Sequence, residues 1–250
     1  MQRYFVSEQQ MSLENVLLLG DDANHITRVM RMAEGDEILC CDGNGRTARC
    51  KIVSLAKEEV SATVVQWLTE EKELPIQVTI AQGLPKGDKL ETIVQKGTEL
   101  GAHAFLPFSS SRCIVKWDEK KGKKKVERLE KIAKEAAEQS HRQVIPTIEP
   151  PISFKQLLAK AKQFKYKMVA YEEEAKAGEK QQLAQLLTTM DAAQEMLCVI
   201  GPEGGLSSEE ASQLQEAGFL LCGLGPRILR TETASTYVLA ALSYHFELTR

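Results

Sequence analysis

The residues best suited to chemistry lie in two glycine-bearing stretches near the C-terminal end of the 250-residue chain. Gly201-Pro202-Glu203-Gly204-Gly205 follows the apolar run MLCVI, and GPRILRTETA at 225–234 follows FLLCGL. A glycine has no Cβ, so backbone N–H and C=O groups can come within bonding distance of a ligand. Such groups can read the edge of an adenine ring while Leu224, Ile228 and Leu229 cover its faces. A tight strand-to-helix turn would use the same glycines. The phosphate-cradling spacings G-x-G-x-x-G and G-x-x-x-x-G-K-[ST] are absent, and a dinucleotide fold would carry its glycines after the first strand. On spacing alone, a turn and an unusual nucleoside site remain equally open. The second stretch tips the balance, because Arg227, Arg230, Glu232 and Thr233 fall within seven residues, beside Ile228 and Leu229 and just before a helix. A surface ion pair between Arg230 and Glu232 is the plain alternative, and such pairs contribute little.

The elements that must position these loops follow from the apolar periodicity. From residue 76 onward strands and helices alternate: IQVTIAQ, a helix over 88–100, AFLPF, a charged helix over about 118–141, a helix over 153–164, KMVAY, a helix over 179–190, MLCVI, a helix opened by Ser207 and Glu210, FLLCGL, and a last helix over about 232–246. Asp88 with Glu91, and Ser207 with Glu210, have capping-box spacing. This alternation predicts a parallel sheet covered on both faces, with ligands bound beyond the carboxyl ends of its strands. The first seventy residues differ. A short helix over 21–31, with Ile26, Val29 and Met30 facing a core, precedes the strands EILCCD, TARCKIVSLA and EVSATVVQWL, a pattern that suggests a small β-barrel. TEEKELP at 69–75 reads as a linker, giving domains at 1–70 and 74–250.

Composition bounds the class. A hydrophobic share of 43% with 27% charged residues fits a globular protein, and no apolar run reaches membrane-span length. The N-terminus lacks the apolar core of a secretory signal, and six cysteines without C-x-x-C spacing read as reduced core thiols, so a cytoplasmic location is expected. The scattered four histidines give no metal-binding pattern. A net charge of −3 argues against indiscriminate coating of nucleic acid, although the Lys-rich run at 116–131 is a local basic cluster that would matter for a polyanionic partner.

The pair GPEGGLSSEE and LGPRILRTETA closely resembles the signature of the RsmE family, the 16S ribosomal RNA uridine-N3 methyltransferases of the SPOUT superfamily. Further stretches agree in order: His25-Ile-Thr-Arg-Val-Met-Arg31 with Gly35 and Asp36, Lys86-Gly-Asp-Lys89, Gln95 and Lys96, Glu99-Leu-Gly101, and Glu138-Gln-Ser-His-Arg142 with Pro146. One departure is Ser111-Arg112-Cys113, where an acidic residue would precede the arginine. The resemblance implies an N-terminal PUA-like β-barrel that binds RNA and a C-terminal SPOUT α/β domain ending in a deep trefoil knot. It also implies S-adenosylmethionine as methyl donor, a homodimer, and the small ribosomal subunit with its 16S rRNA as partner, with neither metal nor membrane.

By matching motif, Gly201, Glu203, Gly204 and Gly205 should line one wall of the cofactor site. Leu224, Gly225, Ile228 and Leu229 should line another, with Thr233 and Ala234 at the helix entrance. Arg230 is expected to stabilise negative charge on the uracil, and Glu203 or Glu232 to act as base or to face the sulfonium. Arg3, His25, Arg28, Arg31, Arg112, Lys116 and Arg142 are the expected RNA contacts, although His25 also suits packing against the barrel core. Two other readings stay open: a related enzyme acting on transfer RNA or a ribose 2′-oxygen, and an RNA-binding assembly factor without chemistry. A phosphate-binding metabolic enzyme is disfavoured by the missing fingerprints.

Overall fold

The computed structural model describes residues 1–69, 72–176 and 181–249, which divide into two units, Met1–Glu73 with Ala137–Ile145, and Leu74–Ala136 with Pro146–Arg250. Two of the stretches read from the sequence run partly outside the described residues: the linker at 70–71 and the start of the helix at 179–190.

The first unit is a five-stranded mixed sheet in the order β1-β3-β4-β5-β2, formed by Arg3–Phe5, Glu37–Cys41, Thr47–Leu55, Glu59–Leu68 and Asn15–Leu19. β1 and β2, both missed in the sequence, are its two edges, so the hydrogen-bonded path is an open half-barrel rather than a closed one. Alternate residues of β4 and β5, among them Ala48, Cys50, Ile52, Val60 and Ala62, turn inward onto Tyr4, Leu18, Ile26 and Ile38. Helix α1, Gly20–Asn24, continues into a wider turn at His25–Val29. Ile26 from this stretch is fully buried, but Val29 and Met30, expected in the core, are 66% and 44% exposed. The widened turn changes the period, which rotates both side chains off the inward face.

The segment Ala137–Ile145 completes this unit. Arg142 is buried and its guanidinium is paired with the Glu73 carboxylate, which also accepts the backbone N–H of Gln143 at 2.8 Å and of Val144 at 3.2 Å. Arg3, also buried, donates to the carbonyl of Arg142 at 2.5 Å. Both arginines were expected to touch RNA phosphates. Buried guanidinium groups must be paired to offset their desolvation, and these two are consumed in holding the unit together.

The second unit is a seven-stranded, all-parallel sheet. β6 (Gln77–Gly83), β7 (Ala104–Ser109), β8 (Thr147–Ile148), β10 (Tyr166–Ala170), β11 (Glu195–Ile200) and β12 (Leu220–Cys222) lie in the order β12-β10-β11-β6-β7-β8, and β9 (Ile152–Ser153) also pairs with β7. The central strands are nearly continuous buried runs, as strands covered on both faces must be. One face buries Ala81, Leu197, Val199 and Leu221 under Leu157 of α4 (Phe154–Lys160) and Leu214 of α7 (Ser208–Glu216). α2 (Lys89–Glu99) packs against α8 (Thr231–Ser243), which itself lies against β11. α3 (Glu119–Gln139) is the charged helix; α5 (Glu172–Lys176) and α6 (Gln182–Thr189) contact β12. The capping box at Ser207 and Glu210 forms as expected, whereas Asp88 makes no side-chain cap and Glu91 turns to Lys125 and Arg128 of α3.

Candidate active site

All of the cavity lies in the second unit, beyond the carboxyl ends of β10, β11 and β12. After β12, an edge strand, the chain crosses back over the sheet, and α8 begins at the ends of β11 and β6. Thr231, in the first turn of α8, fixes this return. Its hydroxyl donates to the Gly201 carbonyl at 2.7 Å and accepts from Gln82 Nε2 at 2.8 Å. Gln82 is fully buried at the end of β6 and its Nε2 also lies 3.3 Å from the Gly201 carbonyl, so one amide and one hydroxyl tie three chain segments together. The segments meet closely. A Cβ on Gly83 would come within 2.6 Å of Pro202 Cδ and 2.7 Å of Pro202 N, so only glycine fits there. Gly205 adopts φ +68°, a left-handed conformation that lets the loop turn into α7.

The result is a cavity of about 640 Å³, within the range of small-molecule sites. Of the expected cofactor residues, Gly201, Glu203, Gly204, Gly205, Leu224, Gly225, Ile228, Leu229 and Ala234 line it. Thr233 does not: one residue after Glu232 in the helical turn, it is exposed. Its neighbour Thr231, two positions earlier, faces the cavity in its place. Among the groups expected to carry chemistry, Arg230 and Glu203 line the cavity, whereas Glu232 lies off its wall with Oε2 buried and unpartnered among the described residues.

Glu203 sits at the rim, accepting from Lys89 Nζ at 2.7 Å and from the Lys86 backbone N–H at 3.0 Å. Partial burial pushes its carboxyl upward, but the hydrogen bonds from Lys89 and the backbone outweigh this and hold it below the usual carboxylate range. The group is therefore an anion at neutral pH. Arg112, expected at RNA, lines the same cavity and donates to the Gly204 carbonyl at 3.0 Å. Its loop is held by Glu210, whose Oε1 accepts the Ser111 N–H at 2.7 Å while Oε2 closes the capping box of α7. Arg112 and Arg227 thus give the cavity two further cations beside Arg230.

Several lining residues were missed in the sequence: Thr231, Lys89 and the stretch at 170–173 after β10. Gln82, which supports the cavity without lining it, was missed too. A signal existed for Gln82, a polar residue closing the apolar run IQVTIA at the strand end that faces ligands. No comparable mark distinguishes 170–173. Of the expected RNA contacts in the first unit, Arg28 and Arg31 are exposed, while His25 is half-buried with Nδ1 3.0 Å from the Tyr4 hydroxyl. Lys116 in the second unit is exposed. Among the described residues no helix is long and apolar enough to cross a membrane, and no group of three or more His, Cys, Asp or Glu could hold a metal ion.

A glycine-walled cavity at the strand ends of a parallel sheet, with a half-barrel as a separate unit, defines the class. The model of an RNA methyltransferase domain matches residues 72–243, and that of an RNA methyltransferase PUA domain matches 18–65. The chain is 51% identical to the ribosomal RNA small subunit methyltransferase E of Bacillus subtilis, over 100% of this chain and 99% of that one. The chain belongs to the ribosomal RNA small subunit methyltransferase E family. Among solved structures, that of the Neisseria gonorrhoeae family member bound to S-adenosyl methionine superposes with a TM-score of 0.84 at 30% identity, covering 97% of each chain. A Legionella pneumophila methyltransferase in complex with the same cofactor gives 0.84 at 29%, covering 96% of each.

Proposed function

We propose that this protein transfers a methyl group from S-adenosylmethionine to N3 of one uridine in the 16S rRNA of the small ribosomal subunit. The observation that carries this reading is the joining of both glycine loops into one cavity with an anion, Glu203, on one rim and cations, Arg112, Arg227 and Arg230, on the others. The cavity suits the donor. Leu224, Ile228 and Leu229 offer apolar cover to an adenine, backbone groups of 201–205 offer hydrogen bonds to its edge, and Glu203 offers a counter-charge to a sulfonium. S-adenosylmethionine supplies an electrophilic methyl group, and its sulfur leaves as a neutral thioether.

The chain's own residues must prepare the acceptor. N3 of a paired uridine is covered, so the base has to leave its stack before it reaches the cavity. Its N3 proton must then depart, and the negative charge spreads onto the flanking uracil oxygens. Arg230, at the N-terminus of α8, is the cation assigned to that charge; a fixed donor of this kind lowers the barrier for forming the anion. Glu203, on the cavity wall, and Glu232, just off it, are the two candidate bases. Thr233 and Ala234 fall at the helix entrance, Ala234 on the wall. Arg28 and Arg31 in the half-barrel and Arg112 and Lys116 in the sheet unit remain as phosphate contacts, with His25 as a further RNA-facing candidate.

The path from β12 back to α8 supports a C-terminal trefoil knot. Ile228, Tyr237, Tyr244 and Leu248, which are 73%, 44%, 62% and 74% exposed, support pairing of two protomers there. A ribosomal substrate also supports a cytoplasmic location.

The deciding experiment is a mass-spectrometric digest of 16S rRNA from cells lacking the protein. Loss of 3-methyluridine at one site supports the reading, and loss of a ribose methyl group instead moves the enzyme to another subgroup. For the arginine, Arg230→Ala should lower kcat by roughly 10²- to 10³-fold with cofactor affinity held. Full turnover in that variant would remove Arg230 from the mechanism.

A further inference from the structure

The N-terminal half of α3 carries an arrangement that costs the free protein stability. Lys120, Lys121, Lys124, Lys125 and Arg128 line a shallow groove of about 440 Å³, with Asp118 its one acidic lining residue. Lys120 and Lys124, Lys121 and Lys125, and Lys124 and Arg128 are like-charged pairs four residues apart, a spacing that destabilises a helix. The first turns of a helix also carry the positive end of its dipole, where cations are disfavoured. Glu91 of α2 relieves part of this, pairing with Lys125 at 3.4 Å and Arg128 at 2.6 Å. Lys120, Lys121 and Lys124 are exposed and have no ion-pair partner among the described residues. The helix cannot roll this face away, because Gly122 is buried against Pro151 and Leu129 and Ala133 are buried below it.

The chemistry of the groove selects its occupant. No large apolar side chain of α3 is among the exposed ones, so the face lacks the aromatic and apolar core of a protein interface and the apolar side of a membrane-binding helix. A row of flexible ammonium groups suits a chain of phosphates. The groove also has a fixed relation to the cavity. Glu91, which holds the groove's edge, and Lys89, which holds Glu203 at the cavity rim, are two residues apart in the first turn of α2. Groove and cavity rim therefore flank one helix end, about 10–12 Å across.

We propose that this groove is a docking track for the phosphodiester backbone of the RNA strand next to the target base, separate from the contacts of the half-barrel. The proposal rests on the rRNA-methyltransferase reading. The test compares the full-length protein with a variant carrying K120Q, K121Q and K124Q, and with a charge-matched control carrying K155Q, K162Q and K165Q on exposed lysines of the same unit. Binding to 16S rRNA is measured across a salt series, together with KM and kcat on isolated small subunits and S-adenosylmethionine affinity. The groove variant should lower the slope of log affinity against log salt by about 2 and raise KM roughly tenfold, with kcat and cofactor affinity unchanged. The control should leave slope and KM as they are. An unchanged slope in the groove variant overturns the proposal, and so does an equal change in both variants, which would reduce the effect to net charge. Weaker binding to the assembled subunit with unchanged binding to naked rRNA also overturns it, assigning the groove to a ribosomal protein. Binding slopes need no turnover, so failure to methylate would count against the function reading alone.

Discussion

One hydroxyl, that of Thr231, joins the GPEGG loop, the last helix and the end of β6 through the Gly201 carbonyl and Gln82. Thr231→Val keeps the shape and removes both bonds, leaving a buried amide and a carbonyl with fewer partners, at a cost of about 1–3 kcal/mol. Calorimetric titration should show S-adenosylmethionine binding roughly tenfold weaker. Undiminished affinity would mean that the junction holds the fold and not the ligand. The sequence announced the neighbours of this residue and not the residue itself. Glycines and arginines stand out by type, so Gly201, Gly204, Gly205 and Arg230 could be picked from the string. Thr231 and Thr233 are the same residue type two places apart, and only the helix phase decides which one faces inward. Arg3 and Arg142 were misjudged for a related reason. An isolated arginine reads as surface charge until its partner is known, and Glu73, lying in an apparent linker, gave no sign of being that partner.

At the scale of elements, the anchor between α2 and the GPEGG loop is electrostatic and should be sensitive to acid. The folded-state carboxyl of Glu203 is held below its ordinary value. A lowered folded pKa adds stability that is fully present above the unfolded value, about 4.3, and is lost as pH falls through the folded one. Chemical denaturation at neutral pH should therefore separate wild type from Glu203→Gln, and the gap should narrow as pH falls below about 4.3 and vanish once it is below the folded-state pKa. A gap that persists in acid would assign the effect to packing. The elements themselves were largely readable, because a parallel sheet buried on both faces writes its strands as unbroken apolar runs. The short edge strands β1, β8 and β9, of two or three residues, are too brief to establish a period. The half-turn that exposes Val29 and Met30 was equally silent, since widening of a helical turn leaves no mark on composition.

For the molecule as a whole, the two units have separate polar anchors. Glu73→Gln would remove the carboxylate that pairs with the buried Arg142 and accepts the N–H groups of Gln143 and Val144, and should destabilise the first unit by about 1–3 kcal/mol, read by chemical denaturation. S-adenosylmethionine affinity should stay within twofold, because every residue lining the cavity belongs to the second unit. A matching loss of cofactor binding would show that the units do not act independently. The change of rhythm near residue 75 is what suggests two domains in the sequence; the return of Ala137–Ile145 to the first unit leaves no such mark, because the charged helix runs straight through the boundary.

The tie between Gln82 and Thr231 spans 149 positions of sequence. A growing polypeptide emerging from the ribosome carries Gln82 long before its partner exists, so the cavity cannot close until synthesis is almost finished. Contacts so distant along the chain form slowly, and the interval between release of the polypeptide and the first catalytic turnover should be governed by docking of the last helix rather than by folding of the strands.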